Sequence, residues 1–63
     1  MKNMIKQLRK DAKLRQEDLA EKVGVSRQTI LAIENDKYNP TLELAMKLAK
    51  QLGKSVEEVF FLD

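Results

Sequence analysis

The sequence predicts an all-α fold, a compact bundle of five short helices. Apolar residues recur at spacings of three and four in successive segments, and turn-forming residues separate these segments. A chain of 63 residues is also too short to divide its apolar side chains between two cores. We therefore expect a single domain over residues 1–63. The only β element that the sequence suggests is a short pairing of residues 2–4 with residues 60–62.

Two helices are predicted before residue 25. The first covers about residues 3–13, and its apolar face consists of Ile5, Leu8 and Ala12. The second begins near Gln16, and its apolar face consists of Leu19, Ala20 and Val23. Gly24 ends this second helix, because glycine adopts the left-handed conformation of a helix terminus at little cost. The second helix is therefore barely two turns long.

A third helix is predicted after Ser26, whose hydroxyl is suited to cap the free N–H groups of a first helical turn. Ile30 and Ile33 share its apolar face. The first turn is unusually polar, since it consists of Arg27, Gln28 and Thr29. The helix cannot continue through residues 35–40, which are rich in turn formers and include the only proline.

Two more helices are predicted on either side of Gly53. The apolar stripe of the fourth helix consists of Leu42, Ala45, Leu48, Ala49 and Leu52. Ser55 caps the fifth helix, whose apolar residues are Val56, Val59 and Phe60.

The apolar cluster at the C-terminus predicts a homodimer. Two adjacent phenylalanines cannot both face one side of a helix, so we expect at least one to complete the monomer core. The second phenylalanine would leave an exposed apolar patch on a small domain, and a second copy of the chain would bury it. We place the dimer interface at Phe60, Phe61 and Leu62, with Phe61 and Leu62 as the exposed members.

The composition excludes several classes of function. The chain contains no cysteine and no histidine, so disulfides and thiolate or imidazole metal sites are not expected. It contains no glycine-rich phosphate loop, and a domain this small has little room for a ligand pocket, so we expect neither an enzyme nor a cofactor. No apolar run reaches the ~20 residues of a membrane span, and a cytoplasmic protein is expected.

Charge is distributed unevenly along the chain. The net charge is only +2, but residues 1–30 contain eight Lys or Arg against four Asp or Glu. Residues 31–63 contain four against six. An anionic partner is therefore expected to meet the first half of the chain.

Residues 16–34, QEDLAEKVGVSRQTILAIE, resemble the helix-turn-helix of the lambdoid phage repressor and Cro family. Each matching position has a physical reason. Ala20 is small where two helices cross, and Gly24 makes the turn. Val25 fills the gap at the turn, and Ile30 anchors the third helix in the core. The resemblance extends over nearly the whole chain. It implies a DNA-binding motif over about residues 16–35, with the recognition helix at about residues 27–35.

The resemblance implies that the recognition helix enters the major groove of double-stranded DNA. The implied base contacts are Arg27, Gln28, Thr29 and Ala32. Arginine bonds bidentately to guanine and glutamine to adenine, whereas the methyl groups of threonine and alanine can contact a thymine methyl.

Gln16 matches the family residue that starts the second helix, where a side-chain amide and free backbone N–H groups can bind a DNA phosphate. The other backbone contacts are expected from residues near the recognition helix or able to reach the same strand: Lys13, Arg15, Ser26, Asn35, Lys37 and Tyr38. Two alternatives stay open. The basic residues are common on any small domain, and Asn35 is equally suited to end a helix in the left-handed conformation. Arg15 stands where the family has a capping Ser or Thr, and the missing cap is expected to cost ~1 kcal/mol.

Arg9 and Glu34 match a family pair that ties the first helix to the end of the recognition helix. The alternative is a surface ion pair worth ~0 to 1 kcal/mol.

The sequence therefore predicts a sequence-specific DNA-binding transcriptional regulator, a repressor that binds a palindromic operator as a homodimer. Its two recognition helices are expected ~34 Å apart, one turn of DNA. The alternative is a protein-interaction module with the same fold, such as an antitoxin or coactivator. The absence of an aromatic anchor on the third helix weighs against that alternative.

Overall fold

The computed structural model describes residues 1–62, which form five α-helices and two short β-strands. Their order is β1 (Lys2–Asn3), α1 (Ile5–Asp11), α2 (Gln16–Val23), α3 (Arg27–Glu34), α4 (Leu42–Gln51), α5 (Val56–Val59) and β2 (Phe60–Phe61). The strands pair antiparallel, with Lys2 opposite Phe61 and Asn3 opposite Phe60. The predicted helical fold and the terminal pairing are confirmed. Within the described part of the chain, no helix has the length and apolarity needed to cross a membrane.

The core lies between the five helices, and each helix contributes to it. The largest fully buried side chains are Ile5, Leu19, Ile30, Ile33, Leu48 and Val59. Small residues allow the helices to approach one another, since Ala20 is only 3% exposed and Ala49 only 2%. The predicted apolar faces of α2 and α3 are confirmed by this burial.

Local hydrogen bonds fix the ends of the helices. Gly24 and Gly53 have φ angles of +76° and +69°, and each terminates a helix in the left-handed conformation. Ser26 and Ser55 accept the backbone N–H of the residue three positions on, as predicted for α3 and α5. Thr41 caps α4 in the same way.

Helix α1 is shorter than predicted, and its buried face differs. It covers residues 5–11 rather than 3–13, because residues 2–3 pair with β2 and Lys13 has a φ of +59°, which is not helical. Ala12 is exposed and Leu8 only half-buried. The second buried residue of α1 is Arg9, at 8% exposure. Because arginine is not apolar, the spacing of apolar residues did not indicate that Arg9 is buried.

The predicted apolar stripe of α4 is wrong at its first residue. Leu42 is 72% exposed, and Leu44 is buried in its place. Thr41 begins the helix, so Leu42 lies in the first turn on the solvent side. Both leucines fit a helical spacing, and only the packing of the whole domain selects between them.

Helix α5 ends at Val59, one residue earlier than predicted. Phe60 has an extended backbone, with φ −121° and ψ 139°, and belongs to β2. Its side chain is 6% exposed, whereas that of Phe61 is 40% exposed, because neighbouring strand residues point to opposite faces. The placement of Phe60 in a dimer interface is therefore corrected: it is part of the monomer core and has almost no surface left for a second chain.

We expect Gly24→Ala to lower the free energy of unfolding by about 1 kcal/mol, because an L-residue is strained in the left-handed conformation. A Cβ atom at this position would meet no atom within 4 Å, so the cost is conformational rather than steric. The loss in the free energy of unfolding is measured by urea unfolding, monitored by the circular dichroism signal of the helices. Gly24→Asn is the control, since asparagine tolerates this conformation better. Equal losses for alanine and asparagine would contradict this explanation.

Candidate nucleic-acid interface

The first turn of α3 presents two unengaged polar side chains to solvent. Arg27 and Gln28 are exposed, and neither side chain takes part in a hydrogen bond or ion pair within residues 1–62. Ile30 and Ile33 hold the opposite side of the helix in the core. A guanidinium and a carboxamide with all their hydrogen-bonding groups available can engage a ligand without breaking an internal bond.

Thr29 and Ala32 differ from these two residues because both are half-buried. The hydroxyl of Thr29 lies 3.2 Å from the Ser26 hydroxyl, and the Thr29 N–H donates to the same Ser26 oxygen. Ser26 is thus engaged as the cap of α3, although it remains exposed. The hydroxyl of Thr29 already has a partner, so its methyl group is the part that is unengaged.

The end of α3 is closed by Asp36 rather than Asn35. Asn35 has a φ of −89°, and Asp36 has the left-handed φ of +59°. The N–H of Lys37 donates to the carbonyl of Ala32 at 2.8 Å, which completes the terminating turn. The alternative reading of Asn35 as the left-handed residue is therefore wrong. Asn35, Lys37 and Tyr38 are exposed in the loop that follows.

Arg9 of α1 and Glu34, the last residue of α3, are in direct contact. The Arg9 Nε atom donates to Glu34 Oε2 at 2.6 Å, and Nη2 donates to Oε1 at 3.3 Å. The side chains are only 9% and 2% exposed. The third nitrogen of Arg9, Nη1, donates to the carbonyl of Leu14 at 2.8 Å. This is a buried bidentate pair rather than a surface contact.

Gln16 joins this pair at the start of α2. Its side-chain nitrogen donates to Glu34 Oε1 at 3.0 Å, so one N–H of the amide is used and a second remains. We call Arg9, Gln16 and Glu34 the Glu34 network. The sequence identified all three residues but not the bond between Gln16 and Glu34, because nothing local to either residue indicates it.

Asp18 partly compensates for the missing side-chain cap at the start of α2. Its carboxylate accepts the backbone N–H of Arg15 at 2.9 Å and two bonds from the Arg15 guanidinium at 3.1 Å. The side-chain hydrogen bond between Arg15 and Asp18 raises the pKa of the Arg15 guanidinium and lowers the pKa of the Asp18 carboxyl. The N-cap side chain itself accepts nothing, as expected for arginine. Arg15 remains exposed but has an internal partner.

Lys13 lies between α1 and α2, exposed and with the left-handed φ of +59°.

Asn3 is a further structural residue that sequence reasoning missed. Its side-chain nitrogen donates to the Ile33 carbonyl at 2.9 Å, and its oxygen accepts the N–H of Ile5 at 3.1 Å. Asparagine just before a helix was the available signal for the second contact. The first contact depends on the tertiary structure.

Comparisons with known proteins agree with this geometry. A family model described as helix-turn-helix matches residues 5–59. The chain is 57% identical over 60 residues to an uncharacterized HTH-type transcriptional regulator of Methanocaldococcus jannaschii, and the match covers 95% of this chain and 91% of that protein. It is 44% identical over 55 residues to the immunity repressor protein of Bacillus phage phi105, covering 87% of this chain and 38% of that protein.

A solved structure shows the same fold. The P22 c2 repressor protein, in complex with a synthetic operator, superposes with a TM-score of 0.83 at 33% sequence identity. The match covers 90% of this chain and 91% of that one. The matching family and these relatives are transcriptional regulators, not enzymes.

We expect Arg9→Met to lower the free energy of unfolding by about 3 kcal/mol, because it leaves the Glu34 carboxylate buried without its cationic partner. The double variant Arg9→Met/Glu34→Leu should recover much of that loss. A double-mutant cycle in urea, completed with Glu34→Leu, measures the coupling.

The matched control is the exposed pair of Lys47 and Glu43, which are 54% and 79% exposed and 3.0 Å apart. Its coupling should stay near 0.5 kcal/mol or less. Similar coupling energies for the two pairs would show that the buried pair has no special structural role.

Proposed function

The chain belongs to the helix-turn-helix family of DNA-binding transcriptional regulators, and we propose that it is a repressor that binds a palindromic operator sequence-specifically as a homodimer. The observation that supports specific binding most directly is the pair of unengaged side chains at the start of α3, Arg27 and Gln28. In helix-turn-helix proteins this turn reads base edges in the major groove.

The proposed base contacts follow from the chemistry of each side chain. Arg27 donates two bonds to O6 and N7 of a guanine, and Gln28 bonds to N6 and N7 of an adenine. Thr29 and Ala32 offer methyl groups to thymine, since the Thr29 hydroxyl is bonded to Ser26.

The proposed backbone contacts surround this helix and position it. Gln16 retains one side-chain N–H for a phosphate while the other holds Glu34. Exposed positions before the motif, in its central turn and in the loop after α3 supply the remaining contacts: Lys13, Arg15, Ser26, Asn35, Lys37 and Tyr38. Arg15 must share its guanidinium with Asp18, so its contribution to phosphate binding is smaller than that of a free arginine.

The proposed dimer interface lies at the terminal strands. Phe61 and Leu62 are 40% and 86% exposed, and Met4, which follows β1, is 39% exposed. The pairing of β1 with β2 brings Met4 and Phe61 to the same end of the domain. Apolar surface at one place on a small domain favours association with a second copy.

Repression is proposed because a bound domain excludes other proteins from the same DNA without needing an activating surface. The similarity to a phage immunity repressor supports this direction of regulation.

Selection of bound duplexes from a random library at about 0.1 M salt tests this function. We expect enrichment of an inverted repeat whose half-site centres are about one DNA turn apart. On the enriched duplex, Arg27→Ala should weaken binding about 10- to 100-fold, because a bidentate guanine contact is lost.

Lys54→Ala is the control, since Lys54 is exposed in the turn after α4 and outside the proposed contacts. Its affinity should match that of the wild type. An unenriched pool, together with DNA binding that does not weaken as the salt concentration is raised, would favour the protein-interaction module instead.

We expect light scattering at micromolar concentration to show a dimer. The double variant Phe61→Glu/Leu62→Glu should be a folded monomer, because it places charge in the proposed interface. Leu42→Glu is the matched control: Leu42 is also highly exposed, at 72%, but belongs to α4 and not to the terminal segments. A monomeric wild-type protein would contradict the dimer.

A further inference from the structure

We propose that Leu31, together with Ala32, forms an apolar contact surface on α3 that selects a thymine next to the bases read by Arg27 and Gln28. This inference rests on the proposed function and specifies one part of it. It adds to the interface a residue, Leu31, that sequence reasoning did not identify.

The helix geometry places Leu31 on the side of α3 that faces away from the core. Successive residues of an α-helix are rotated by about 100°. Ile30 and Ile33 define the buried side, and Gln28 lies nearly opposite them. Leu31 and Ala32 lie one turn further along, on either side of the line through Gln28. Thr29 lies closer to the buried side, which agrees with its partial burial.

Leu31 has no role in the core that would explain a leucine at this position. It is half-buried, but it is absent from the partly buried apolar residues that pack against the core, which are Met1, Leu8, Leu14, Val25, Leu52 and Val56. Its own helix provides the nearest cover, since residues three and four positions apart are neighbours on a helix. Those neighbours are Arg27 and Gln28 on the N-terminal side, and Glu34 and Asn35 on the C-terminal side.

The second turn of the exposed side therefore differs in chemistry from the first. Arg27 and Gln28 offer hydrogen bonds, whereas Leu31 and Ala32 offer only apolar atoms. In the major groove the apolar group that distinguishes one base from another is the C5-methyl of thymine. Guanine, adenine and cytosine edges in contact with Leu31 would lose water from their polar atoms without gaining a hydrogen bond. Leu31 is thus suited to accept thymine and to reject the other bases.

The test replaces single methyl groups on the DNA. In the duplex enriched by selection, each thymine is exchanged in turn for deoxyuridine, which removes only the methyl group. Dissociation constants are measured by fluorescence anisotropy at fixed salt. We expect a loss of about three- to five-fold per half-site at one thymine beside the guanine or adenine contact, the value of one buried methyl group.

The variant Leu31→Ala should bind the thymine duplex with a similar loss and should lose most of its preference for thymine over deoxyuridine at that position, since only Ala32 remains of the apolar surface. Leu42→Ala is the control, an exposed leucine on α4 that should leave both affinities unchanged. Circular dichroism verifies that Leu31→Ala is folded. A thermal midpoint close to that of the wild type agrees with the position of Leu31 outside the core.

Two results would overturn the inference alone. Either no thymine methyl affects binding to an enriched duplex, or the methyl effect persists at full size in Leu31→Ala. An unenriched pool would overturn the proposed function, and this inference with it, so the two failures are distinguishable.

Discussion

The buried carboxylate of Glu34 is the constraint on which the position of α3 depends. Glu34 is the last residue of α3, where the free carbonyl groups make a negative charge unfavourable. At 2% exposure its side chain also has almost no access to water. The charge is stabilised by donors from two other elements, Arg9 on α1 and Gln16 on α2. Moving α3 relative to either helix would remove one of the donors that stabilise this buried charge.

A second set of contacts holds the same end of α3 from the terminal sheet. Asn3 donates to the Ile33 carbonyl, and β1 is itself held by β2. In a domain of 63 residues the apolar core is small, so such polar contacts determine much of the geometry. They concentrate at the C-terminal end of α3. At the N-terminal end the Ser26 cap fixes the first turn, whereas the side chains of Arg27 and Gln28 form no hydrogen bond or ion pair within residues 1–62.

Local signals in the sequence predicted most of the fold. Gly24 and Ser26 fix the turn between α2 and α3 through their own backbone preferences, and a sequence contains those preferences directly. The choice between Leu42 and Leu44, and the extended backbone of Phe60, depend on contacts distant in sequence. For the site, the residue types on α3 were accessible to sequence reasoning. The bonds of Arg15 to Asp18 and of Thr29 to Ser26 join residues only three positions apart, so the sequence contained the signal for both. The bond between Gln16 and Glu34, and the missing core role of Leu31, required the tertiary structure.

The allocation of arginines limits what the proposed complex can read. The chain contains three arginines. Arg9 is buried against Glu34, and Arg15 is bonded to Asp18, so both stabilise the fold. Within residues 1–62 only Arg27 has a guanidinium without an internal partner. Since bidentate arginine is the usual reader of guanine, each proposed half-site contains one strong guanine contact. The other proposed base contacts are those of Gln28 and the apolar groups, so the chemistry of the second turn of α3 affects how many further bases are read directly.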